Sequence, residues 1–225
     1  MKQRTFKPQL DILPKAQRVL WPELEATPAH FTLYGGTALA LRLGHRQSAD
    51  FDFFTAKRFQ PARLAASINY LKGCKLRQSS ENTLTAEIRR GGPVQLSYFG
   101  ALSLGIVLPP ERVEGPGFNV ASLLDIAGTK VAVVTQRAEP KDYIDIHALL
   151  TFKDMHLPTM LAAARVIYGP SFDPFLSLKA IAYHEDPALH ALSPRVRRDL
   201  IAAVRSVDAS RLPRLTAFRR RTKRS

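Results

Sequence analysis

The sequence predicts a mixed α/β (α+β) chain, with strands and helices in its N-terminal part and helices alone beyond. Three observations carry this. Residues Phe31 to Phe54 read in a row as strand, glycine turn, helix, polar loop and strand. Residues 83–88 and 94–99 each alternate with period two and are joined by Arg89-Arg-Gly-Gly-Pro93, a hairpin turn. Past about residue 118, apolar side chains recur at helical spacing almost to the C-terminus.

The elements follow in order. Residues 9–26 suggest a covering helix or two, with Leu10, Leu13, Val19, Leu20 and Leu24 inward and Pro14 and Pro22 as breaks. Phe31-Thr-Leu-Tyr34 is apolar and β-prone. Gly35-Gly36-Thr37 follows as a turn, and Ala38-Leu-Ala-Leu-Arg-Leu43 is a run of strong helix formers stopped by Gly44. After the polar loop His45-Arg-Gln-Ser-Ala49, the run Asp50-Phe-Asp-Phe-Phe54 puts Asp50 and Asp52 on one side of a strand. Pro61 suits a first helical position, with Leu64, Ala65, Ile68 and Leu71 as its apolar stripe. Leu84, Ala86 and Ile88 form one strand face, and Val94, Leu96 and Tyr98 another. Residues 105–118, rich in Pro and Gly, read as a connection. Helices are expected over 122–135, 142–152, 158–168, 172–182 and from Ser193-Pro194 onward, the last with Val196, Leu200, Ala203, Val204 and Val207 beneath. The division expected is 1–110 for the strand-bearing domain, 111–210 for the helical domain and 211–225 for a basic tail.

Composition narrows the class. The chain has 225 residues and ordinary globular hydrophobicity. It carries no run apolar enough to span a membrane and no apolar signal core at its N-terminus, so the cytoplasm is the expected location. A single cysteine, Cys74, rules out an internal disulfide framework and a cysteine-rich zinc site. The net charge of +14 favours a polyanionic partner such as nucleic acid and suits cationic drugs poorly. Half of that excess falls between Arg211 and Ser225, where seven cations meet no acid. Such a tail serves either solubility or RNA contact.

Two carboxylates on one strand face repel unless a cation lies between them, and hard Mg²⁺ accepts one or two carboxylates plus substrate phosphates. Glycines admit close backbone approach to a ligand, and the amides that open a helix favour an anion. Residues 31–54 therefore combine a phosphate cradle with a metal clamp, the parts of a phosphoryl or nucleotidyl transfer site. Further on, Lys130 lies in the apolar stretch Asp125-Ile-Ala-Gly-Thr-Lys-Val-Ala-Val-Val134, where a lysine either snorkels to water or meets an anion. Lys141-Asp-Tyr-Ile-Asp145 sets two carboxylates three apart on a helix, a pattern that also suits a helix N-terminus.

The glycine turn followed by the acidic strand resembles the nucleotidyltransferase fold shared with polymerase β. The fuller string GGTALALRL-GHR-x-S-x-DFDFF, followed by DIAGTKVAVVTQRAEPKDYIDIHALL, resembles the AbiEii/AbiGii toxin family of bacterial nucleotidyltransferases over about residues 31–152. The resemblance implies catalytic roles for Asp50, Asp52, Lys130, Asp142 and Asp145. It implies nucleotide contacts from Gly35, Gly36, Thr37, Arg46, Ser48, Lys130 and Arg137. Asp50 and Asp52 would hold Mg²⁺ or Mn²⁺. Transfer of an NMP from an NTP to RNA, tRNA foremost, or to protein is then expected, with a separately encoded antitoxin in a type IV system. The alternative is a catalytically degenerate nucleic-acid-binding protein on the same fold. One departure from the pattern stands out. Polymerase β-like enzymes commonly carry a third metal-binding carboxylate on a later strand, which here reads Val94-Gln95-Leu96-Ser97; Glu87 on the neighbouring strand is the candidate substitute.

Overall fold

A computed structural model describes residues 4–152 and 155–218. The chain divides into two compact units, residues 1–103 with 110–121 and residues 104–109 with 122–225. The boundary therefore differs from the single cut expected at residue 110. Two short strands after that point, Glu111–Val113 and Asn119–Val120, return to the first unit. Strands of three and two residues are too short to leave an alternating pattern in sequence, so the stretch reads as a mere connection.

The first unit is one sheet with short helices. Its strands are β1 (Thr5–Phe6), β2 (Thr32–Tyr34), β3 (Asp50–Phe54), β4 (Lys75–Ser80), β5 (Thr83–Arg89), β6 (Pro93–Phe99), β7 (Glu111–Val113) and β8 (Asn119–Val120). They lie in the order β1-β7-β8-β2-β3-β6-β5-β4. Strand β3 is central, antiparallel to β2 and parallel to β6. One face of this region is the core. Phe51, Phe53, Leu84, Ala86, Leu96 and Tyr98 are fully buried there, and the Phe53 and Tyr98 rings stack at 5.3 Å. The hydroxyl that Tyr98 brings into this core meets Tyr70 Oη at 2.7 Å, which meets Thr27 Oγ1 at 2.6 Å. Such a chain satisfies polar atoms that water cannot reach.

The helices of this unit are α1 (Lys15–Leu20), α2 (Gly35–Leu43) and α3 (Pro61–Ser67). Around α1, residues 10–12 and 21–26 form 3₁₀ turns, in keeping with the breaks expected at Pro14 and Pro22. Leu13, Leu20 and Leu24 are buried as expected, whereas Val19 is 50% exposed. Residues 13, 16, 17, 20 and 24 make the true stripe, with steps of three and four, and Val19 falls outside it. α3 ends at Ser67, short of Leu71, although Leu64, Ile68 and Leu71 are all buried. Strand β4 is an addition to the expected set. All six of its residues are exposed, so it lacks the apolar alternation that marks a half-buried strand.

The second unit is built from α4 (Leu123–Val133), α5 (Pro140–Thr151), α6 (Leu157–Tyr168), α7 (Pro174–Ala182) and α8 (Pro194–Arg205). Ser122 caps α4 by accepting from Asp125 N at 3.0 Å. Asp125, itself buried, accepts from Ser122 Oγ at 2.5 Å and from the backbone N–H groups of Val107 and Leu108 at 2.8 and 3.0 Å. Burial pushes its carboxyl above the usual carboxylate range, although these donors pull the other way. The α4–α6 packing is close because Gly128 has no side chain. A Cβ there would lie 2.9 Å from Ala164 N.

The expected tail also divides. Leu215 packs on the cluster of Val107, Ala163 and Ile167, and Phe218 N donates to Ile106 O at 2.6 Å. Residues up to 218 are thus joined to the second unit, while Arg219, Arg220, Arg221, Lys223 and Arg224 lie outside the described residues.

Replacing Asp125 by Ala strands two backbone donors and removes a helix-start partner. Asp125→Ala is expected to lower stability by about 2–3 kcal/mol, read as a urea midpoint shift at unchanged slope. A loss below about 0.5 kcal/mol, the usual range of an unremarkable surface change, would contradict this role.

Candidate active site

The site in the first unit begins where β2 becomes α2. Helix α2 starts at Gly35, so the expected glycine turn is the helix's own first turn. Gly35 has φ +75°, a left-handed value that favours glycine. The larger constraint is space. A Cβ on Gly35 would lie 2.8 Å from Asp52 Oδ2. One on Gly36 would lie 2.5 Å from Arg46 Nη2 and 3.0 Å from Ser48 Oγ. Gly35, Gly36, Arg46, Ser48 and Asp52 are thus brought together around the opening of one helix. Across the β2–β3 ladder Tyr34 stands opposite Asp52.

Asp50 and Asp52 project on the same side of β3, and both are partly exposed. Phe51 and Phe53, which alternate with them in sequence, are fully buried on the other side and fix the strand's register. Thr37, expected among the phosphate contacts, is buried, and its hydroxyl donates to Asp50 O at 2.5 Å. It ties α2 to the acidic strand. Arg46 Nη1 donates to Gln47 O at 2.8 Å, which shapes the loop that carries Ser48.

Opposite Asp50 and Asp52 on β6 stand Gln95 and Ser97, where a third carboxylate was sought. Glu87, the candidate substitute, lies opposite Gln95 on β5 and is ion-paired with Arg77. Among the described residues no group of three or more His, Cys, Asp or Glu side chains is placed to hold a metal ion. The paired Asp50 and Asp52 offer hard oxygen donors, a set that fits Mg²⁺ or Mn²⁺ when substrate phosphates complete the shell.

Sequence reasoning passed over Arg42, a cation within the apolar helix α2. It bonds Glu111 at 2.5 Å and Ala121 O at 2.6 Å, and its guanidinium lies 4.1 Å from the centroid of the Phe6 ring. Burial lowers its pKa, against the pull of Glu111. Arg42 thereby fastens the helix of the glycine motif to the β1-β7-β8 edge. The available signal was an arginine in a run, Ala38 to Leu43, that is otherwise Ala and Leu.

In the second unit the other motif residues form a charge cluster. Lys130 does not snorkel. It is buried, with Nζ 2.8 Å from Asp142 Oδ1 and 2.6 Å from Asp145 Oδ2. Both carboxylates are fully buried, and Arg137 Nε reaches Asp142 Oδ2 at 2.9 Å. The ions are balanced two against two, the condition under which buried charge is tolerable. Arg137 alone of the four is substantially exposed, at 44% of its side chain.

Comparison with known proteins decides the family. The family described as nucleotidyl transferase AbiEii toxin, type IV TA system, matches residues 20–219. The chain belongs to the AbiEii nucleotidyltransferase toxin family. An uncharacterised protein of Aquifex aeolicus is 30% identical over 158 residues, covering 69% of this chain and 74% of that protein. Two solved structures share the fold at 16% identity. One, MenT4, a nucleotidyltransferase toxin of Mycobacterium tuberculosis, has a TM-score of 0.59 over 86% of this chain and 83% of its own. The other, from H. pylori and described as a nucleotidyltransferase, has a TM-score of 0.54 over 84% and 91%. Members of this AbiEii family are transferases, and nucleotidyltransferases generally use divalent metal ions. Among the described residues no helix is long and apolar enough to cross a membrane.

Two outcomes test this geometry. Gly35→Ala introduces strain at a positive φ and a Cβ against Asp52. It is expected to displace the Asp52 carboxylate and remove transferase activity, while Gly73→Ala, also at positive φ but with open space around it, leaves activity intact. Equal activity of the two variants would refute the close-approach argument. Lys130→Met takes the ammonium away from two fully buried carboxylates and leaves Asp142 to Arg137; it is expected to cost about 3–5 kcal/mol in chemical denaturation, and a change under about 1 kcal/mol would mean that the cluster does not hold α4 to α5.

Proposed function

We propose that this protein transfers a nucleoside monophosphate from an NTP to an RNA acceptor, tRNA foremost, as the cytoplasmic toxin of a type IV system with a separately encoded antitoxin. The observation that carries the reading is the convergence of Gly35, Gly36, Arg46, Ser48 and Asp52 on the opening of α2. A helix start with two glycines and a guanidinium is a receptor for phosphate, and it lies directly against a carboxylate pair. The net charge of +14 favours a polyanionic acceptor over a protein one.

In the reaction the acceptor hydroxyl attacks the α-phosphorus, its proton passes to solvent water, and the bond to the bridging oxygen of the β-phosphate breaks to release pyrophosphate. Asp50 and Asp52 would hold Mg²⁺ or Mn²⁺, which when bound supplies charge neutralisation at the phosphate and lowers the pKa of the attacking hydroxyl. The first-turn amides of α2 with Arg46 and Ser48 hold the triphosphate. Thr37 keeps Asp50 in place through its backbone. Asp142, Asp145, Lys130 and Arg137 act as one unit, in which Lys130 fixes the two carboxylates and Arg137 presents an exposed cation that suits a phosphate.

A second reading, a catalytically degenerate RNA-binding protein, has one observation in its favour. Gln95 and Ser97 occupy the places opposite the aspartates where a third acid would complete the metal site. Transfer of radiolabel from each α-labelled NTP onto total tRNA separates the readings. Label is expected on RNA with one preferred NTP, and Asp52→Asn is expected to abolish it while unfolding like the wild type. Binding of tRNA with no label from any NTP would overturn the catalytic reading, label on protein alone would overturn the RNA acceptor, and full activity of a soluble Asp52→Asn variant would remove Asp52 from the mechanism.

A further inference from the structure

The register of the sheet extends the acidic site outward. Asp50 on β3 stands opposite Gln95 on β6, Gln95 opposite Glu87 on β5, and Glu87 opposite Lys75 on β4. Residues directly opposite share a face, so all four lie on the face that carries the aspartates. The other face of the same strands is the aromatic and aliphatic core. Arg89, two residues from Glu87 on β5, shares the polar face. Arg77 joins it through an irregularity. The β4–β5 register shifts between Leu76 and Gln78, leaving Arg77 as the extra residue of a bulge, and its guanidinium turns onto Glu87. Bulges commonly re-aim a side chain in this way.

The polar row therefore ends in three cations around one acid. Lys75 and Arg89 are exposed, and Arg77 is nearly half exposed. Glu87 is held below the ordinary carboxylate range by the Arg77 hydrogen bond and by the charges of Arg77, Lys75 and Arg89. Three positive charges against one leave a surplus of two on the sheet's outer edge. At about 4.8 Å per strand, Glu87 is roughly 10 Å from Asp50 and Lys75 roughly 14 Å. That is within reach of the nucleotides next to a reacting chain end. Lysines on an edge strand also guard against edge pairing. That function does not call for an arginine bulged onto the aspartate face.

We propose that Lys75, Arg77 and Arg89 form the phosphate-binding end of an acceptor track, along which an RNA strand runs across β4, β5 and β6 to place its terminal hydroxyl at Asp50 and Asp52. The proposal rests on the RNA acceptor argued above. Binding along the track is to the backbone and carries no base preference, since its basic residues meet phosphates.

The test compares full-length variants by tRNA affinity at several salt concentrations, together with label transfer. Lys75→Gln/Arg77→Gln/Arg89→Gln removes the cluster. Lys75→Gln/Arg89→Gln retains the Arg77–Glu87 pair and guards against misfolding. Arg195→Gln/Arg198→Gln/Arg205→Gln removes the same charge from exposed positions of α8. The log–log salt slope is expected to flatten by about 0.7 for each phosphate left without its cation in the cluster variants and to stay near wild type in the α8 variant. The KM for tRNA rises in the cluster variants while the KM for NTP holds. Equal flattening in the cluster and α8 variants would overturn the track in favour of diffuse attraction. An unchanged slope and KM in the cluster variants, with tRNA still labelled, would overturn the track and leave the proposed function standing. A wild-type protein that neither binds nor labels tRNA would overturn both.

Discussion

The constraint on which the site depends is the contact between the first turn of α2 and β3. Two consecutive glycines let the backbone approach Asp52, Arg46 and Ser48 to distances at which a Cβ would push those side chains aside. The Thr37 hydroxyl, bonded to Asp50 O, and the Arg42 guanidinium, bonded to Glu111 and Ala121 O, hold the helix there from its two ends. Helix amides, guanidinium and carboxylates are thereby concentrated in a small volume. The missing side chains make the arrangement sterically possible.

Buried charge organises the second unit in a comparable way. Lys130, Asp142, Asp145 and Arg137 bind α4 to α5 and to the loop between them. Asp125 fastens the start of α4 to residues 107 and 108. Neither arrangement would be chosen for stability alone, since an apolar replacement of similar volume often does as well. A cluster whose exposed member is an arginine, however, joins a rigid interior to a solvent-facing cation. The family motif places that arginine and the two aspartates within nine residues of one another.

The sheet divides its labour by face. One side, from Phe51 and Phe53 through Leu96 and Tyr98 to Leu84 and Ala86, is core and sets the register. The same register then dictates what stands beside the aspartates on the other side. Gln95, Ser97 and Glu87 are consequences of that pairing, and so is the position of the cations on β4.

By itself the sequence determined the features that depend on local pattern. The alternation of Asp50-Phe-Asp-Phe-Phe54 determined which side each residue faces, since a strand has period two. Gly35-Gly36, Asp50 and Asp52 were legible as one candidate site because they lie within eighteen residues of each other, whereas Ser48 entered only through the family resemblance. The helices of the second unit were legible from their apolar stripes and from start signals such as Ser193-Pro194. Only tertiary structure decided the rest. Lys130 could equally have snorkelled, and its partners became clear only when α5 packed beside α4. Strand β4 has no apolar face to announce it, and β7 and β8 are too short to do so. The roles of Arg42 and Thr37 depend on neighbours brought in from distant or opposing segments. These features belong to pairings between segments, and a sequence encodes such pairings through packing and register, which no local period displays.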